Sequence, residues 1–189
     1  AMSFGIAAIA KEFVPLFFGE EFIECVEVTI VLAPVLVIKG VSNTIRTEFL
    51  IPYHLEKKLT TSVVIGAIVN LFMNCLLIPH YGAIGAALGT LVAELTACVC
   101  QIHCVKTSIH VGKVLLESIG YCLCGALMFI IVRGVADYLN GGIVSIVFEI
   151  LIGGVVFCLT SVLTIVLSKS ELRVLLHKRN VINTKSTYP

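Results

Sequence analysis

The residues of this sequence best suited to chemistry are charged and amide side chains that lie inside long apolar runs. The run from 26 to 51 contains Lys39, Asn43 and Arg46. Their spacing places all three on one face of an α-helix, with Ser42 beside them. An unpaired lysine near the middle of a bilayer costs about 2.5–3.5 kcal/mol on insertion scales. We therefore expect this polar face to contact protein or water.

A second polar set follows in the next two apolar runs. Asn70 and Asn74 share one helix face, and Glu94 lies deep in the run after them. Amides in membrane helices either bond to a neighbouring helix or line a polar cavity, and both interpretations stay open here. Glu94 is expected to be a counter-ion for Lys39 or Arg46, or a protonatable group in an ion-driven cycle.

Motifs for covalent or metal-dependent catalysis are missing from the sequence. It has no Ser-His-Asp or Cys-His set at a plausible depth, no H-E-x-x-H motif and no glycine-rich phosphate loop before a lysine. Cys100, His103 and Cys104 cluster, but their spacing matches no zinc pattern. The sequence thus predicts a protein that is not an enzyme and carries no metal or cofactor.

The composition is that of a polytopic membrane protein. Only 13% of the 189 residues are charged, against about 25% in soluble proteins, and the mean hydropathy is +1.06. A net charge of +1 gives no reason to expect a nucleic-acid partner. Residues 1–18 are mostly apolar, without a basic n-region or a small-residue cleavage site, so we expect them not to be a signal peptide and the chain to be the C-terminal part of a longer protein.

The apolar pattern predicts an all-α fold, a transmembrane helix bundle of five full spans plus one truncated N-terminal span. Pro79 and Gly82 are expected to separate the third helix from the fourth, so that the two helices form a hairpin. Residues 1–168 are predicted to form the transmembrane lobe and 169–189 a tail. The predicted helices cover about 1–18, 26–51, 59–78, 82–106, 115–136 and 143–167.

The loops carry their positive charge on one side, which predicts the orientation of the chain. Loops 19–25 and 79–82 contain no lysine or arginine, and Arg133 borders the loop near 137–142. Because basic loops face the cytoplasm, the tail is expected inside the cell. The basic residues of that side are Lys57, Lys58, Lys106, Lys113, Lys169, Arg173, Lys178, Arg179 and Lys185.

The hairpin carries a family resemblance. Its pattern N-x3-N-x3-I-P-x2-G-x2-G-A-A-x2-T-x3-E, from Asn70 to Glu94, resembles the polysaccharide-export family. These are lipid-linked repeat-unit (O-antigen type) flippases, in the superfamily that includes multidrug-and-toxin exporters and lipid II flippases. The F-G-E-E-F run at 18–22 is similar to a loop of that family, and the likeness covers about residues 13–105.

The resemblance implies the last six helices of a fourteen-helix transporter in the bacterial or archaeal cytoplasmic membrane. Its partners would be a lipid-linked sugar substrate, membrane lipids and an N-terminal lobe of the same chain, working by alternating access. Cations would meet the pyrophosphate, and amides the sugars. The residues expected at the substrate cavity are Lys39, Asn43, Arg46, Asn70, Asn74 and Glu94.

Two other functions compete with this interpretation. A multidrug or cation exporter of the same superfamily would favour a cavity of carboxylates and aromatic rings without lysine, and Lys39 with Arg46 argues against it. A membrane-bound enzyme of envelope synthesis would show a large outer loop with arginine or histidine clusters. The predicted outer loops are all short.

Overall fold

The computed structural model describes the backbone of residues 1–106, 111–136 and 142–185, and these residues are almost entirely helical. Helix α1 is followed by a 3₁₀ turn, and α2 continues directly into a π-helical turn before a short loop leads to α3. The bounds are α1 Met2–Phe18, the 3₁₀ turn Glu20–Phe22, α2 Glu24–Ile45, the π-helical turn Arg46–Leu50, α3 Glu56–Val105, α4 Val111–Ala136 and α5 Ile143–Lys185.

Helix α3 is a hairpin that folds back on itself at Gly82. This glycine has φ 54° and ψ −127°, a backbone conformation that residues with a Cβ rarely adopt. The two halves then run antiparallel, because Gly85 lies against Leu77 and Gly66 lies against Ala97. Small residues at these positions let the two backbones approach closely, as in other membrane helix pairs.

The hairpin turns at Gly82, within the break at 79–82 that the sequence pattern predicts, but the first helix extends further than predicted. The pattern predicts a helix end near Ile78, followed by a turn over 79–82, whereas the helix continues through Pro79 and breaks only at Gly82. Proline removes one backbone donor and so weakens a helix. The chain reverses at Gly82, whose positive φ angle interrupts the helix and is readily adopted by glycine.

Helices α1 and α2 pack together, α2 packs on the α3 hairpin, and α4 pairs with α5 while both contact α1. Ile45, Leu50 and Val105 form an apolar cluster where α2 and α3 end. Ala8, Met128 and Val132 form another between α1 and α4. Outside these clusters many large apolar side chains are exposed, which is the surface expected of a protein that faces lipid.

Within the described residues, four helices are long and apolar enough to cross a membrane: Glu24–Leu50, Glu56–Val105, Ser118–Ala136 and Ile143–Val166. The chain is therefore a membrane-embedded, all-helical protein across the residues the structure describes. The second of these helices is the α3 hairpin, whose two halves are counted together here, so the expected count of five full spans remains a prediction. Helix α5 continues to Lys185 without a break near residue 168, where the predicted tail begins.

Candidate functional site

A polar cavity of about 700 Å³ lies between α2 and the two halves of α3. Small residues form part of its wall, among them Gly40, Gly66, Ala93 and Ala97. The polar residues around it are Lys39, Ser42, Asn43, Arg46, Asn70, Glu94 and Gln101. The structure thus brings together five of the six residues that the sequence placed at a substrate cavity.

Helix α2 presents Lys39, Asn43 and Arg46 to this cavity, as their helical spacing predicts. The α-helix ends at Ile45, and Arg46 begins the π-helical turn that follows. A π-helical turn in a longer helix is uncommon and often lies at a functional site. Pro34 lies inside α2 without interrupting it, so the main irregularity of this span lies beside the cavity.

Lys39 and Glu94 form an ion pair across the cavity. The Lys39 Nζ atom lies 2.6 Å from the Glu94 Oε1 atom, and their side chains are 57% and 27% exposed. The pairing joins α2 to the second half of α3, which is one of the two roles expected for Glu94. Because both side chains are open to the cavity, the pair is not sealed in a dry core, and its charges remain accessible to a ligand.

Arg46 is the second cation of the cavity. Its Nη2 atom donates a hydrogen bond of 2.5 Å to the Oδ1 atom of Asn43, one helical turn earlier. Among the residues the structure describes, Arg46 forms no ion pair. Since Lys39 and Glu94 neutralise each other, Arg46 leaves the lining with a net charge of +1.

Asn70 lines the cavity, whereas Asn74 does not. The Asn74 Nδ2 atom donates a 2.7 Å hydrogen bond to the Asn70 Oδ1 atom. Asn74 also lies against Gly89, where an added Cβ would overlap its side-chain oxygen. The packing interpretation therefore fits Asn74, because its amide fills the contact between the two halves of α3 and does not reach the open space.

Two cavity residues were absent from the predicted set. Gln101 is only 5% exposed, and its Oε1 atom is buried without a hydrogen-bond partner. The Oγ atom of Ser42 is in the same condition. Gln101 follows Glu94 by two helical turns, a spacing that would have placed it on the same face. Buried polar atoms are nearly always paired, so these two atoms are suited to hydrogen-bond a polar group inside the cavity.

Comparison with known protein families, with curated proteins and with solved structures finds no match to this chain. The resemblance of the hairpin to polysaccharide exporters therefore depends on the motif residues alone. What the geometry itself establishes is a membrane-embedded helical chain whose polar cavity, between α2 and α3, is lined by two cations, one carboxylate and the buried polar atoms of Ser42 and Gln101.

Proposed function

We propose that this chain forms the substrate-binding lobe of a flippase that moves lipid-linked oligosaccharides across the cytoplasmic membrane. The observation that carries the proposal is the polar cavity between two apolar helices, which has a net positive lining and unpaired polar atoms. Moving such a lipid requires no bond to be made or broken. It requires walls that lower the cost of taking a charged headgroup through hydrocarbon.

The lining suits the two chemical parts of such a headgroup. Arg46 supplies a guanidinium, whose planar set of donors matches phosphate oxygens better than an ammonium does. Asn43, Asn70 and Gln101 supply amides, which can both donate to and accept from sugar hydroxyls. A pyrophosphate-linked sugar therefore finds a partner for its charge and for its hydroxyls in one cavity.

The same lining argues against a drug or cation exporter of the related type. None of the residues that line the described cavity is aromatic, and its one carboxylate is paired with Lys39. Flat apolar cations bind best over aromatic faces or beside free carboxylates. A net positive cavity without either feature favours an anionic cargo.

Transport by this proposal follows alternating access. The lobe described here rocks against a second lobe of the intact transporter, and the cavity opens in turn to each side of the membrane. The carboxyl-terminal tail is proposed to face the cytoplasm, because the basic loop residues lie on its side.

A titration with defined lipids tests the proposal. The full chain in lipid nanodiscs is titrated with a polyprenyl-pyrophosphate oligosaccharide, with the uncharged polyprenyl oligosaccharide and with a cationic dye. We expect the pyrophosphate lipid to bind most tightly. Arg46→Gln should weaken it by about 1.5–3 kcal/mol, the value of a charge-assisted hydrogen bond.

Lys57→Gln is the matched control, since Lys57 is an exposed cation outside the cavity. It should bind the pyrophosphate lipid as the wild type does. Preference for the dye over both lipids, or equal weakening by Lys57→Gln and Arg46→Gln, would contradict the proposal.

A further inference from the structure

A second charged cluster lies away from the cavity, where α1, α4 and α5 meet. The Arg133 Nη1 atom on α4 lies 2.9 Å from the Glu12 Oε1 atom on α1, and it also donates to the Ala8 carbonyl oxygen at 3.3 Å. Glu149 is buried on α5, which packs against both α4 and α1. Three helices thus contribute two carboxyl groups and a single guanidinium to one place.

Apolar packing keeps water away from Glu149, the third charged residue of the cluster. Glu149 is only 1% exposed. One helical turn later, Gly153 lies against Val132 and Met128, so α5 sits tightly on α4 beside Arg133. Val132 and Met128 belong to an apolar cluster that reaches α1, so the carboxyl of Glu149 occupies a dry site between three helices.

The charges in this site do not balance when both carboxyls are ionised. Arg133 and Glu12 are partly exposed, with side chains 28% and 24% accessible, whereas Glu149 is buried. Ionising both carboxyls would leave one excess negative charge beside the buried Glu149 carboxyl, and two carboxylates that lie close together repel each other. The hydrogen bonding of the two carboxyl groups indicates independently that they are not both ionised. The Oε2 atoms of Glu12 and Glu149 are both buried without a partner. Ionised carboxylates only accept hydrogen bonds, so two of them offer no donor between them.

We propose that this cluster is a proton-binding site that holds one proton, carried on the carboxyl of Glu149. The proton removes the excess charge and turns one of the two unpaired acceptors into a donor. Glu12 on α1 and Arg133 on α4 are the charged groups that act on Glu149 among the described residues. Release of the proton leaves buried negative charge between α1, α4 and α5, which weakens their contact. This inference does not depend on the proposed function.

Infrared spectroscopy of the full chain in nanodiscs detects such a proton directly. We expect a protonated-carboxyl C=O band at pH 7 that disappears at higher pH and shifts in D₂O. Glu149→Gln should remove the band because the carboxyl is gone. Glu12→Gln should remove it too, because Glu149 then faces Arg133 alone and balances it without a proton. Glu27→Gln changes an exposed carboxyl on α2 and should leave the band in place.

Thermal unfolding provides a second measurement that does not need the infrared band. A folded state that binds a proton more tightly than the unfolded chain loses stability as the pH rises. The unfolding temperature of the wild type should therefore fall with increasing pH, and that of Glu149→Gln should fall less. A wild type without the band at pH 7, a band that survives Glu149→Gln or Glu12→Gln, or equal pH dependence of both proteins would overturn the proposal.

Discussion

Lys39→Ala tests how the Lys39–Glu94 ion pair affects the binding of an anionic headgroup. The substitution removes a cation and leaves the Glu94 carboxylate facing the cavity without its partner. The net charge of the lining then falls from +1 to 0. Adding Glu94→Gln removes the orphaned carboxylate and returns the net charge to +1. The single variant is therefore expected to bind an anionic headgroup worse than the double variant does.

The size of the effect follows from the size of the cavity. A sphere of 700 Å³ has a radius of about 5.5 Å, so a charge in its wall lies about 7 Å from a phosphate at its centre. At an effective dielectric constant of about 20, two unit charges at this distance interact by about 2 kcal/mol. The unpaired Glu94 carboxylate should therefore weaken pyrophosphate binding about thirtyfold.

Titration of the nanodisc-embedded chain with the pyrophosphate-linked oligosaccharide measures this loss. The double variant should regain most of the affinity, and the uncharged polyprenyl oligosaccharide should bind all three proteins alike. Unchanged binding by Lys39→Ala would show that the charge at this position does not reach the ligand. A double variant as weak as the single one would refute the charge balance on which the estimate depends.

Three further predictions concern packing and polar satisfaction. Gly85→Ala should lower stability by about 1–3 kcal/mol, because its Cβ would overlap the Leu77 carbonyl oxygen; an unchanged unfolding temperature in detergent would contradict the hairpin packing. Gly134→Ala, with open space around it, should keep or raise that temperature, and a large decrease would contradict the described surface. Gln101→Leu removes a buried oxygen without a partner, so it should preserve stability while weakening binding of the sugar lipid. Wild-type affinity in that variant would remove Gln101 from the sugar site.

Helical periodicity was sufficient to predict which α2 side chains share a face. Lys39, Asn43 and Arg46 line one cavity because residues three and four apart on a helix lie together. The glycine pattern likewise indicated the hairpin. The sequence pattern left open whether Asn74 lines the cavity or fills a helix contact, because this depends on where the opposite half of α3 places Gly89.

Contacts between distant segments were beyond the reach of pattern reasoning. In the sequence, Glu149 is a single carboxyl in an apolar run, and its hydrogen bonds could be made within its own helix. Arg133 is a residue at the border of a predicted loop. Their meeting with Glu12 depends on how α1 packs against α4 and α5, which no local spacing encodes. The unpaired oxygen of Gln101 also becomes visible only when α2 and α3 are placed together.

Accessibility of the cavity in a bilayer tests the central claim most directly. In a background with the native cysteines replaced, Asn43→Cys places a thiol in the cavity, and Leu71→Cys places one on an outer face where Leu71 is 68% exposed. The account predicts that a membrane-impermeant anionic maleimide labels Asn43→Cys and not Leu71→Cys. It also predicts that the pyrophosphate-linked oligosaccharide slows that labelling. An unreactive Asn43→Cys, or labelling that the lipid leaves unchanged, would contradict a water-filled cavity that binds an anionic headgroup.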